Sequence, residues 1–109
     1  MTSDAKKLLR ALYKQYKKRR KSGCSRSASS HFGDVYDVHR ICASKLLPED
    51  VSDFLSELNR LGFIGAFYAD NGPYECWLTD EAISYMEQKP FDLIKKIFPF
   101  ISGFLKFNP

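Results

Sequence analysis

Residues 47–64 constrain this chain more than any other stretch. Apolar side chains fall at Val51, Phe54, Leu55, Leu58 and Leu61, one stripe at helical spacing. Pro48 suits the first helical position, where its missing N–H leaves nothing unsatisfied. Glu49 and Asp50 place negative charge at the positive end of the helix dipole. Gly62 follows the last stripe residue and suits a left-handed cap. Both ends and the buried face of one helix are thus written locally.

Upstream, residues 3–21 also read as a helix, capped by Ser3 or Asp4. Its stripe is Ala5, Leu8, Leu9, Leu12, Tyr13 and Tyr16, with lysines between. Beyond Tyr16 the stripe gives way to Lys17, Lys18, Arg19, Arg20 and Lys21, a solvent-facing end. Residues 22–30 are rich in serine, carry few apolar groups and read as a flexible loop. His31 and Phe32 suit a brief strand. Asp34 then opens a second helix, with Val35, Val38, Ile41 and Cys42 as its apolar stripe.

After Gly62 the period changes from helix to strand. Residues 63–69 are strand-like, and Asp70, Asn71, Gly72 and Pro73 form a strong turn signal. Residues 74–78 read as the second strand of a hairpin. Thr79 is a good N-cap for a short helix carrying Ala82, Ile83, Tyr85 and Met86, which Lys89 and Pro90 are expected to end. The apolar stretch from Phe91 to Phe107 follows as a helical tail, with Pro99 expected to kink or split it. Asp92, Lys95, Lys96 and Lys106 make it a poor transmembrane span.

The expected organisation is one domain over residues 1–88 with a tail over 89–109, since 109 residues leave room for one modest core. The three cysteines, Cys24, Cys42 and Cys76, are far apart and do not suggest a disulfide framework. With no signal-peptide pattern at the start, the expected compartment is the cytoplasm. The net charge of +4 conceals an asymmetry. Residues 1–30 hold ten basic groups against one acid, +9, while residues 31–109 hold seven against twelve, −5. A basic arm on an acidic body implies a polyanionic partner for the arm.

The segment from Leu47 through Met86 resembles a winged helix-turn-helix domain. Leu47-Pro48-Glu49-Asp50-Val51 looks like the turn and start of a recognition helix. Leu58-Asn59-Arg60-Leu61-Gly62-Phe63-Ile64 looks like the passage into a wing. Trp77-Leu78-Thr79-Asp80-Glu81-Ala82 is similar to the step from wing to following helix, with Ala82 in place of the usual glycine. The likeness covers roughly residues 4–88 and is to small, mostly uncharacterised bacterial and phage winged-helix proteins. It implies a mainly α (α+β) fold with a two-stranded wing, an extended N-terminal helix and an apolar C-terminal helix. It also implies DNA binding, with transcription regulation as the role and a homodimer as the working form.

On that docking, the face opposite the stripe would read bases with Ser52, Ser56, Asn59 and Arg60. The same helix carries Glu49, Asp50, Asp53 and Glu57, which repel phosphates. The phosphate contacts expected are therefore Lys17, Lys18, Arg19, Arg20, Lys21 and Arg26 in the arm, with Arg40, Lys45 and Arg60. The plain reading of the cluster is a solubilising helix end. A winged-helix protein-interaction module without DNA is the alternative function. The apolar tail would pack back on the first helix, pair with a second subunit there, or lie against a membrane surface. Cys24, His31, His39 and Cys42 lack the spacing of a structural zinc site. No phosphate loop, nucleophile elbow or metalloprotease motif is present, so neither catalysis nor a cofactor is expected.

Overall fold

The structure is a computed structural model, and it describes residues 1–70 and 72–97. Among these, five helices accompany a three-stranded antiparallel sheet, an α+β arrangement. In chain order the elements are α1 (Ser3–Lys21), α2 (Arg26–Ser30), β1 (His31–Gly33), α3 (Val35–Cys42), α4 (Pro48–Arg60), β2 (Ile64–Ala69), β3 (Gly72–Leu78) and α5 (Asp80–Ile97). The strands lie in the order β1-β3-β2, so the third strand in sequence is the central one.

Helix ends follow local chemistry. Thr2 caps α1 by accepting the Ala5 N–H at 3.2 Å, one residue before the caps expected. Asp34 opens α3 with a capping box: its carboxylate accepts the Asp37 N–H, and the Asp37 carboxylate accepts the Asp34 N–H. Helix α4 closes in a Schellman motif. Gly62 adopts φ +82°, its N–H reaches the Asn59 carbonyl, and the Phe63 N–H reaches that of Leu58.

The core is continuous across the helices and the inner face of the sheet. Ala5, Leu8, Leu9, Leu12 and Tyr16 of α1 meet Val35 and Val38 of α3 and Val51, Leu55 and Leu58 of α4. Phe32, Ile64, Cys76 and Leu78 close it from the strands, and Ala82, Ile83 and Met86 from α5. Thr79 locks the junction. Its hydroxyl donates to the Gly62 carbonyl at 2.6 Å and accepts the Ala82 N–H, joining the end of α4 to the start of α5.

Three expectations are corrected. Residues 26–30 are not loop but α2, capped by Ser25, with Ser29 and Ser30 buried. Their hydroxyls donate to the carbonyls of Cys24 and Ser27, so local backbone satisfies the buried oxygens. Leu61 is exposed rather than part of the buried stripe, standing at the C-cap one residue past the end of α4. Helix α5 does not stop at Pro90 but runs to Ile97. A proline removes one backbone bond and bends a helix without having to end it. The rest of the expected tail, including Pro99, and Asn71 of the hairpin turn lie outside the described residues. Among the described residues no helix is long and apolar enough to cross a membrane.

Candidate nucleic-acid interface

Five consecutive cations on an α-helix point around most of its circumference, because each residue advances the helix by 100°. The structure sorts them accordingly. Arg19 turns inward: its guanidinium donates to the carbonyls of His31 at 2.6 Å and Ser29 at 3.4 Å, and stacks 4.6 Å over the Phe32 ring. Arg20 donates to the Cys24 carbonyl, and the Lys17 ammonium stands 5.7 Å over the Tyr13 ring. Lys18 and Lys21 are exposed, and their ammonium groups make no hydrogen bond or ion pair among the described residues. The helix closes through Gly23 at φ +101°, which turns the chain back so that α2 packs beside this basic end.

Arg26 joins the same end. It forms an exposed ion pair of 2.8 Å with Asp80 at the start of α5. The exposed cations Lys17, Lys18, Arg20, Lys21 and Arg26 thus belong to the end of α1 and the start of α2, with Arg19 tied into the junction with β1. Arg40 instead pairs with Asp37 at 2.7 Å on α3. Lys45 lies in the α3–α4 connection, beside a cavity of about 420 Å³ against α1. Arg60 is the last residue of α4 and is exposed. These three stand on separate segments.

Ser52 and Ser56 lie against the hairpin that follows α4. Ser56 shares a hydrogen bond of 3.2 Å with the Tyr68 hydroxyl, and Ser52 lies against Gly72, so both are turned to the β2–β3 hairpin. The exposed residues of α4 are Glu49, Asp50 and Asp53, with Arg60 at its end. Glu57 is engaged elsewhere. Its carboxylate accepts the Thr2 N–H at 2.6 Å and the Thr2 hydroxyl at 2.8 Å, which hold its pKa below the ordinary carboxylate value. An exposed acidic face is a poor match to phosphate.

The sequence reading missed the outer face of the sheet. His31, Trp77, Phe67 and Tyr74 lie there in a row that crosses all three strands. Ring centroids are 5.7 Å apart for His31 and Trp77, 5.2 Å for Trp77 and Phe67, and 6.2 Å for Phe67 and Tyr74. The His31 Nδ1 donates to the Ser27 carbonyl at 2.8 Å, which fixes the ring that abuts Trp77. Tyr74 joins the row through a β-bulge: Phe67 pairs with Glu75 and Tyr68 with Pro73, leaving Tyr74 as the extra residue. Strand alternation could have put Phe67 and Trp77 on a common face, but the register and the bulge are long-range facts.

Among the described residues no group of three or more His, Cys, Asp or Glu side chains could hold a metal ion. The His39 Nε2 donates to the Leu46 carbonyl at 2.8 Å. Burial pushes the thiol of Cys42 up to about 11 and that of Cys76 up to about 12, so neither is an activated nucleophile. Compared with protein-family models, curated proteins and solved structures, the chain matches none of them.

Proposed function

We propose that this chain is a winged helix-turn-helix protein that binds DNA through the basic end of α1, in the role of a small transcription regulator. Two helices, a strand, two helices and a hairpin, with the first strand paired to the third, support the winged-helix reading, the hairpin being the wing. One observation carries the binding: five exposed cations, Lys17, Lys18, Arg20, Lys21 and Arg26, belong to the end of α1 and the start of α2, and the side chains of Lys18 and Lys21 have no partners among the described residues. Such a cluster supplies sequence-independent phosphate affinity. The acidic outer face of α4 favours docking by the arm over docking by that helix. The same acidity supports a second reading, a protein-interaction module of the winged-helix type.

Titrating a fluorescent random duplex across a salt series tests the proposal. Binding is expected to weaken steeply with salt. Changing Lys17, Lys18 and Lys21 to Gln should flatten the slope by roughly 0.9 for each phosphate no longer neutralised. Arg19 is left in place because it holds the fold. Absence of duplex binding at low salt overturns the reading and leaves the interaction module.

A further inference from the structure

We propose that the outer face of the sheet is a stacking platform for single-stranded nucleic acid, continuous with the basic end of α1. The inference rests on the nucleic-acid reading above and names the strand form it takes. Phe67 and Tyr74 are 56% and 54% exposed, although both are large and apolar enough to bury. Cross-strand aromatic pairs stabilise a sheet by themselves. That does not require a row of four rings on the solvent side, however, nor a floor cleared for it. Gly65 lies beneath Trp77, where any Cβ would overlap the indole, so the ring rests flat on the sheet between His31 and Phe67.

Charge decides the occupant. The row begins at His31, whose carbonyl is held by Arg19, and Arg26 is tied to Asp80 just beyond the end of β3. Arg19 and Arg26 therefore stand at one end of the aromatic row, Arg26 paired with Asp80, while Asp70 belongs to the hairpin at the other and Glu75 pairs with Phe67 within the row. A protein partner that used only the apolar rings would have no use for that polarity. An extended polyanion with flat bases fits it, because bases stack on the rings while phosphates reach the α1 end. Paired bases in a duplex keep their faces covered, so the platform discriminates single strand from duplex. It has room for about two or three bases, as on other aromatic sheet platforms.

Trp77 is the single tryptophan of the chain and reports occupancy directly. The experiment is to titrate the intact chain with a twelve-nucleotide oligothymidylate and, separately, with a twelve-base-pair duplex, reading tryptophan emission and anisotropy of labelled oligonucleotide. Single strand is expected to quench Trp77 and duplex to leave it nearly unchanged. Phe67→Leu with Tyr74→Leu keeps apolar packing but removes two stacking rings, and should weaken single-strand binding about tenfold or more with duplex binding unaltered. Circular dichroism of that variant confirms the fold, and the quenching of the unmodified chain needs no variant. Duplex binding through the arm with an unquenched Trp77 overturns the platform and keeps the proposed function. Absence of binding to either form overturns both.

Discussion

Trp77 lies flat over Gly65 of the neighbouring strand, its register partner, with no space for a methyl group between them. The backbone of Gly65 is not in the left-handed region, so the glycine is there for clearance alone. Gly65→Ala should destabilise the domain by about 1–3 kcal/mol, in the range of overpacked sites. It should also shift tryptophan emission to the red as the indole lifts into water. Thermal melts and emission spectra check both, and an unchanged spectrum would mean that the ring has another place to lie.

Gly62 presents the opposite case. A Cβ there meets nothing within 4 Å, yet φ is +82°. Gly62→Ala should therefore cost only the backbone term, about 1–2 kcal/mol, with no change in tryptophan emission. Comparing the two alanine variants separates clearance from conformation.

Stability should fall in acid for an identifiable reason. The Glu57 carboxyl is held below its ordinary value of 4.5 by the Thr2 N–H and hydroxyl, and that of Asp37 is lowered by the Asp34 N–H and then by Arg40. A lowered folded-state pKa stabilises the fold fully above the unfolded value, and the contribution is lost as pH falls through the folded one. The melting temperature should thus drop from about pH 4.5 downward, and Glu57→Gln should flatten part of that slope while lowering the plateau at neutral pH. A variant with the unmodified slope would show that the Thr2 contact is not formed in solution.

The cations of α1 should divide into two kinds. Arg19→Gln removes bonds to two carbonyls and a stacked contact with Phe32, and should cost about 1–3 kcal/mol in urea unfolding. Lys18→Gln and Lys21→Gln should leave stability within about 0.5 kcal/mol, as exposed substitutions do. Arg26→Gln belongs with the lysines, because its ion pair is exposed and worth little.

Thiol labelling should show one accessible cysteine. Cys24 is exposed, Cys76 is buried and Cys42 is partly so, with the last two thiols raised to about 12 and about 11. Iodoacetamide at about pH 8 should modify Cys24 first, with Cys42 and Cys76 following only on unfolding, as mass spectrometry of digests would reveal. Fast modification of Cys76 would contradict its place in the core.

Features that close within a turn or two of helix were legible from the chain alone. The stripe of α4, its Pro48 start and Gly62 stop, the Asp34 and Thr79 caps and the burial of Leu8, Leu9 and Leu12 depend on neighbours three to five residues away, and so could be read from spacing. The hairpin was legible for the same reason. Packing between elements settled the rest. Ser29 and Ser30 are buried because α2 folds against α1, and Arg19 left the basic cluster because the carbonyls of Ser29 and His31 came within reach. Ser52 and Ser56 turned to the hairpin rather than to solvent. The aromatic row needed three strands in register and a bulge at Tyr74 to bring residues 31, 67, 74 and 77 side by side. Local patterning fixes which face a side chain takes on its own element, while the contacts between elements are set by the packing of the whole chain.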